Sequence, residues 1–195
     1  MYGVKSFFKT RDDEWQLVAA PESENTAVLD RLRMKHVKED PYMFADTYDG
    51  EKIKQCIEDF LKASNVQMPV EVSSQSRTLA FGGNADLIAY VGHDGLMDFN
   101  VSLQYSSTVE KTKEVIILAC YSKSYFSPEI RKAKANPTLW TTRLMAPEAY
   151  TLQAALDGWI RNETGKEINE RAAQIYQKYQ KCGINGARKL FAIGY

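Results

Sequence analysis

Cys120 and His93 are the residues whose types and surroundings carry chemistry in this chain. Each closes an apolar run. Leu87-Ile88-Ala89-Tyr90-Val91 leads into Gly92-His93-Asp94-Gly95, and Val115-Ile116-Ile117-Leu118-Ala119 leads into Cys120-Tyr121-Ser122. A thiolate attacks a carbonyl carbon, while an imidazole takes the thiol proton and later delivers it to a leaving amine. Together they perform covalent acyl transfer. The tetrahedral oxyanion of that reaction needs N–H donors, and the backbone amides of Asp94, Gly95 and Cys120 are the candidates.

The elements that must position this pair can be read along the chain. Near-continuous apolar runs are what buried parallel strands look like. Two such strands side by side would bring His93 and Cys120 to one sheet edge although 27 positions separate them. Functional groups gather beyond the carboxyl ends of strands in open α/β sheets. Strand-like and helix-like segments alternate almost throughout, which predicts an α/β fold with a largely parallel sheet. Strands are expected at Trp15–Ala19, Tyr42–Ala45 and Thr138–Leu144, besides the two above. Helices are expected at Tyr2–Lys9, Thr26–His36, Glu51–Ala63, Ser127–Ala135, Pro147–Ile160 and Glu167–Tyr179. In the fourth of these Ser127 reads as the N-cap and Pro128 as the first helical residue. Leu96–Thr108 reads as a small hairpin, with Phe99, Val101 and Leu103 alternating.

The two blocks Leu87-Ile-Ala-Tyr-Val-Gly-His93-Asp-Gly95 and Val115-Ile-Ile-Leu-Ala-Cys120 resemble the caspase-like cysteine peptidases. That group includes caspases, legumains, gingipains, clostripain and separases. The explicit match runs from Leu87 to Cys120. The resemblance implies a Rossmann-like three-layer α/β/α sandwich with a mostly parallel central sheet, formed by residues 1–195 as one domain. It also implies His93 as the catalytic histidine, Cys120 as the nucleophile, and a peptide or protein as substrate. No cofactor is expected. In active members the glycine after the histidine lends its N–H to the oxyanion; here Asp94 separates His93 from Gly95, so either amide is the candidate. Asp98, in the same loop, either orients His93 or lines a pocket. Tyr121, Ser122 and Thr142 are further pocket candidates, following the nucleophile or ending the next strand. The chain opens in a helix-like segment where this fold opens with a strand. The expectation is therefore a fragment lacking its first strand, cytoplasmic as it stands and exported if an upstream signal is also missing.

Composition narrows the alternatives. Twenty-five basic residues balance 25 acidic ones, which argues against a nucleic-acid binder. No stretch approaches the roughly 18 apolar residues of a spanning helix. Three cysteines and two histidines, with no Cys-x-x-Cys or His-x-x-x-His pair, make a disulfide framework or a structural metal improbable. Cys56 reads as core, Cys182 as a loop thiol and His36 as a surface or boundary residue. Two other functions compete with the peptidase. A catalytically inactive caspase-like scaffold or partner-binding domain is the first, motivated by the His-Asp-Gly departure. An unrelated α/β ligand-binding domain is the second. Against it, Gly82-Gly83-Asn84 precedes a strand instead of opening a helix, the wrong place to cradle a phosphate. Nothing in the sequence sets the oligomeric state.

Overall fold

The computed structural model describes residues 3–10, 13–74 and 77–195. The first part of the chain holds α1 (Val4–Thr10), β1 (Trp15–Val18), β2 (Val28–His36), β3 (Tyr42–Tyr48), α2 (Ile53–Ser64), β4 (Pro69–Ser74) and β5 (Arg77–Gly82). Then come β6 (Leu87–Val91), β7 (Glu114–Leu118), α3 (Ser122–Ala133), β8 (Asn136–Thr141), α4 (Ala149–Ile160), α5 (Gly165–Gln180), α6 (Ile184–Leu190) and β9 (Phe191–Ala192). The protein is mixed α/β. Its described strands form an antiparallel sheet β1-β2-β3, a hairpin β4-β5 and a four-stranded sheet β6-β7-β8-β9.

The four-stranded sheet positions the candidate site. β6, β7 and β8 run parallel, and β9 closes the edge antiparallel. Successive side chains of a strand face opposite sides, and in β7 both sides are apolar. Val115 and Ile117 pack with Ile57, Phe60 and Leu61 of α2 and with Phe126 and Ile130 of α3. Ile116 and Leu118 pack on the other face with α4, α5 and α6, through residues such as Tyr150, Ala172 and Leu190. All four β7 residues have no exposed surface. Burial of each such side chain contributes roughly 1.5–3 kcal/mol, which explains an unbroken apolar run where a one-sided strand would alternate.

Several expectations need correction. Four of the six pairings among the described strands are antiparallel, so a mostly parallel arrangement describes β6–β8 and not the described strands as a whole. Thr26–His36 is no helix: Val28–His36 is strand β2. Val28, Leu32 and His36 are spaced by four, which satisfies a helical and a two-residue period alike. The deciding signal is Leu32, Met34 and His36, all buried, alternating with less buried Arg33 and exposed Lys35. Arg31 then makes a two-pronged pair with its cross-strand partner Asp46, at 2.7 Å for each contact. His36 is buried, its ring edge-on to Trp15, and its Nδ1 accepts from the Glu39 amide.

The other departures lie nearer the site. Leu96–Thr108 forms no hairpin; a 3-10 turn (Gly95–Met97) is followed by irregular chain whose Phe99, Val101 and Leu103 rest against the α2–α3 core. Helix α3 starts at Ser122, five residues before the expected N-cap, with Pro128 inside it. The helix therefore begins almost directly after Cys120, through a left-handed Tyr121 at φ 50°. The hairpin β4–β5 has no counterpart among the expected elements. Its Phe81 ring stacks on Phe44 of β3 at 3.9 Å.

Ile116→Ala is expected to lower the unfolding free energy by about 2–5 kcal/mol, because the site is closed on both sides. Leu29→Ala, at a residue 68% exposed, should change it by less than about 0.5 kcal/mol. Urea melts of the two variants check this contrast.

Candidate functional site

The parallel ladder between β6 and β7 pairs Leu87 with Glu114 and continues in step to Val91 with Leu118. The Gly92 amide extends it, donating to the Leu118 carbonyl at 3.2 Å. His93 and Cys120 each stand two residues beyond the last ladder pair, Val91 with Leu118, on neighbouring parallel strands. Both residues leave the sheet at the carboxyl edge because the strands are parallel.

The His93 main chain is firmly held. Its carbonyl accepts from the Tyr90 hydroxyl at 2.6 Å and from the Gly95 amide at 3.1 Å. Its ring Nε2 lies 2.7 Å from Asp98 Oδ2, and both side chains are more than half exposed. Asp94 behaves differently. It is fully buried, and its Oδ1 accepts from the Leu96 amide at 3.0 Å, capping the 3-10 turn. Its Oδ2 is buried with no hydrogen-bond partner among the described residues. Burial pushes the Asp94 carboxyl up from 3.8 to about 6, against the opposing effects of the Leu96 amide and His93. Gly95 is required by packing: a Cβ there would meet the Phe99 ring at 2.7 Å and Ile57 at 3.0 Å.

Cys120 is half-buried, and its thiol is bracketed by one residue that the sequence did not point to. Sγ donates to the Met145 carbonyl at 3.6 Å and accepts from the Met145 amide at 3.5 Å. Met145 belongs to the loop after β8. That loop is anchored by the Tyr121 amide donating to Arg143 O and by the Ala146 amide donating to Tyr176 Oη. No hydrogen bond joins Cys120 to His93 among the described residues. No local signal marks Met145, because its partner lies 25 positions away.

The remaining expected residues divide. Ser122 and Thr142 are engaged elsewhere. Ser122 is fully buried and donates to the Ile117 carbonyl at 2.9 Å while accepting from the Thr141 amide. The Thr142 hydroxyl donates to the end of α6, at Lys189 O and Leu190 O. Tyr121 is 36% exposed beside Cys120, and Asp98 is turned onto His93. Of the three residues whose amides are expected as oxyanion donors, Asp94 and Gly95 are buried, and the Gly95 amide is already bonded to His93. Only the Cys120 amide belongs to a residue that reaches solvent and carries no partner among the described residues. Two shallow depressions, of about 380 and 310 Å³, lie away from His93 and Cys120. The first gathers Arg131 and Lys134 at the carboxyl end of α3, where cations complement the helix dipole. No described helix is long and apolar enough to cross a membrane. Comparison with protein-family models, with curated proteins and with solved structures finds no match to this chain.

Asp94 makes a stability prediction. Its pKa is raised on folding, so the folded state holds this proton more tightly. Stability from this group is full below about pH 4 and falls as pH rises through about 6. Asp94→Asn keeps an oxygen to cap Leu96 and cannot ionise. It should be more stable than the parent near pH 8 by roughly 2–3 kcal/mol and nearly equal near pH 4. Urea midpoints of both proteins at the two pH values check the difference.

Proposed function

We propose that this protein is a cysteine peptidase of the caspase-like type, with a Rossmann-like sandwich built on β6–β8 and a peptide or protein as substrate. What supports the reading is the parallel ladder between β6 and β7, whose neighbouring strands lead into His93 and Cys120 at the same carboxyl edge. The Cys120 thiol passes its proton to His93. The thiolate adds to the peptide carbonyl, and the oxyanion takes the Cys120 amide as donor. The C–N bond then breaks as the His93 imidazolium protonates the leaving amine. Water, deprotonated by His93, attacks the thioester, and the released acid leaves the free thiol behind.

A second reading is a catalytically inactive scaffold or partner-binding domain. It is favoured by the burial of Asp94 and Gly95 and by the grip of Met145 on the thiol. Loss of one oxyanion donor costs roughly 3–4 kcal/mol of transition-state stabilisation.

Peptidyl acyloxymethyl ketones bearing Arg, Lys, Asp, Asn or Leu separate the two. The peptidase reading expects one of these to label Cys120 selectively near neutral pH, with the adduct located by mass spectrometry. His93→Ala should abolish labelling, and Cys120→Ala should abolish hydrolysis of the matching substrate while leaving the fold intact. Labelling of Cys120 no faster than of the exposed Cys182 would favour the scaffold.

A further inference from the structure

We propose that Asp98 is the positioning residue of this site, setting the tautomer and orientation of the His93 imidazole so that Nδ1 is the proton-accepting nitrogen; this rests on the peptidase reading. Asp98 Oδ2 and His93 Nε2 are 2.7 Å apart. An ionised carboxylate only accepts, so the hydrogen sits on Nε2 and the lone pair on Nδ1. The nitrogen left to exchange a proton with the Cys120 thiol is therefore Nδ1. Proton transfer leaves a thiolate, and an imidazolium whose Nε2–H faces the negative carboxylate, which stabilises the charge as it develops.

The geometry is built rather than incidental. The His93 backbone is held by Tyr90 and Gly95, which leaves the exposed ring free only in its side-chain torsions. The 3-10 turn from Gly95 to Met97 folds the chain back so that Asp98 meets that ring. The turn is fixed by the Asp94 cap on Leu96 and by the Asp98 and Phe99 amides donating to Gly95 O at 2.9 and 3.0 Å. The neighbouring carboxylate, Asp94, cannot take this role, because it is buried and its one bonded oxygen caps the turn.

Two readouts test the assignment without a known substrate. The chain has two histidines, so ¹⁵N-labelled protein gives two assignable rings, and the buried His36 reports that the fold is intact. At neutral pH the His93 ring ¹⁵N shifts, read through the carbon-bound ring protons, should show the Nε2–H tautomer almost exclusively. Asp98→Ala should move them toward a mixture of the two tautomers, and Asp98→Glu should restore part of the bias. Alkylation of Cys120 by iodoacetamide, resolved from the exposed Cys182 by mass spectrometry, gives the second readout. Asp98→Ala should slow it about tenfold, a modest effect for a solvent-exposed pair. Cys182 should be unaffected, and His93→Ala should slow Cys120 at least as much. A Cys120 rate unchanged in Asp98→Ala but lowered in His93→Ala would overturn the role of Asp98 and leave the peptidase reading standing. Wild-type rates in both variants would overturn that reading, and this assignment with it.

Discussion

The parallel pairing of β6 with β7 is the constraint on which the rest of the structure depends. A parallel ladder needs both faces covered, and β7 has the side chains to demand it. Val115 and Ile117 call for α2 and α3 on one side, and Ile116 and Leu118 call for α4, α5 and α6 on the other. The amino-terminal end of the ladder is tied down by one carboxylate. Glu114 Oε2 accepts from Trp159 Nε1 of α4 and from the Thr138 hydroxyl of β8, both at 2.8 Å. With that end fixed and both faces packed, the opposite end has a single register available. The exit of the chain at His93 and at Cys120 on one edge of the sheet follows from it.

The antiparallel sheet β1–β3 is joined to this framework by two kinds of contact. On one side Trp15 and Met34 enter the same apolar cluster as Leu118 and Tyr150. On the other, Asp59 of α2 accepts from Tyr48 Oη at 3.0 Å and from Asn25 Nδ2 at 3.1 Å. The latter bonds secure the outer face of α2, while its inner face carries Ile57, which presses on Gly95. The packing chain thus runs from the antiparallel sheet through α2 to the loop that carries His93.

That loop holds two carboxylates four residues apart with opposite fates. Asp94 is enclosed, half-bonded and raised in pKa; Asp98 is in solvent and bonded to the histidine. Environment, and not residue type, separates a capping and packing role from one that acts on the imidazole. The same contrast holds on the Cys120 side, where Ser122 is drawn into the core by Ile117 and Thr141 while Tyr121, next to it, stays at the surface.

The strands β6 and β7, the helices α2, α4 and α5, and the position of His93 and Cys120 at strand ends were all legible in the sequence. Each rests on a local pattern: an apolar run of five, a repeat of three and four, or a turn dipeptide. Strand β2 is not legible from spacing, because spacings of four suit both periods and its partners are the β1 and β3 strands on either side. The hairpin β4–β5 and the irregular chain after Gly95 carry no local signal, because their form depends on what they rest against. The fates of Asp94, Ser122, Thr142 and Met145 had no local signature at all. Ser122 meets Thr141 across 19 positions, Cys120 meets Met145 across 25, and Thr142 meets Leu190 across 48. The sequence alone determined which residue types stand at the ends of the two apolar strands. Only the tertiary structure decided which of their neighbours reach solvent and which are bonded away, because burial and hydrogen-bond partnership are properties of segments packed together and not of any one of them.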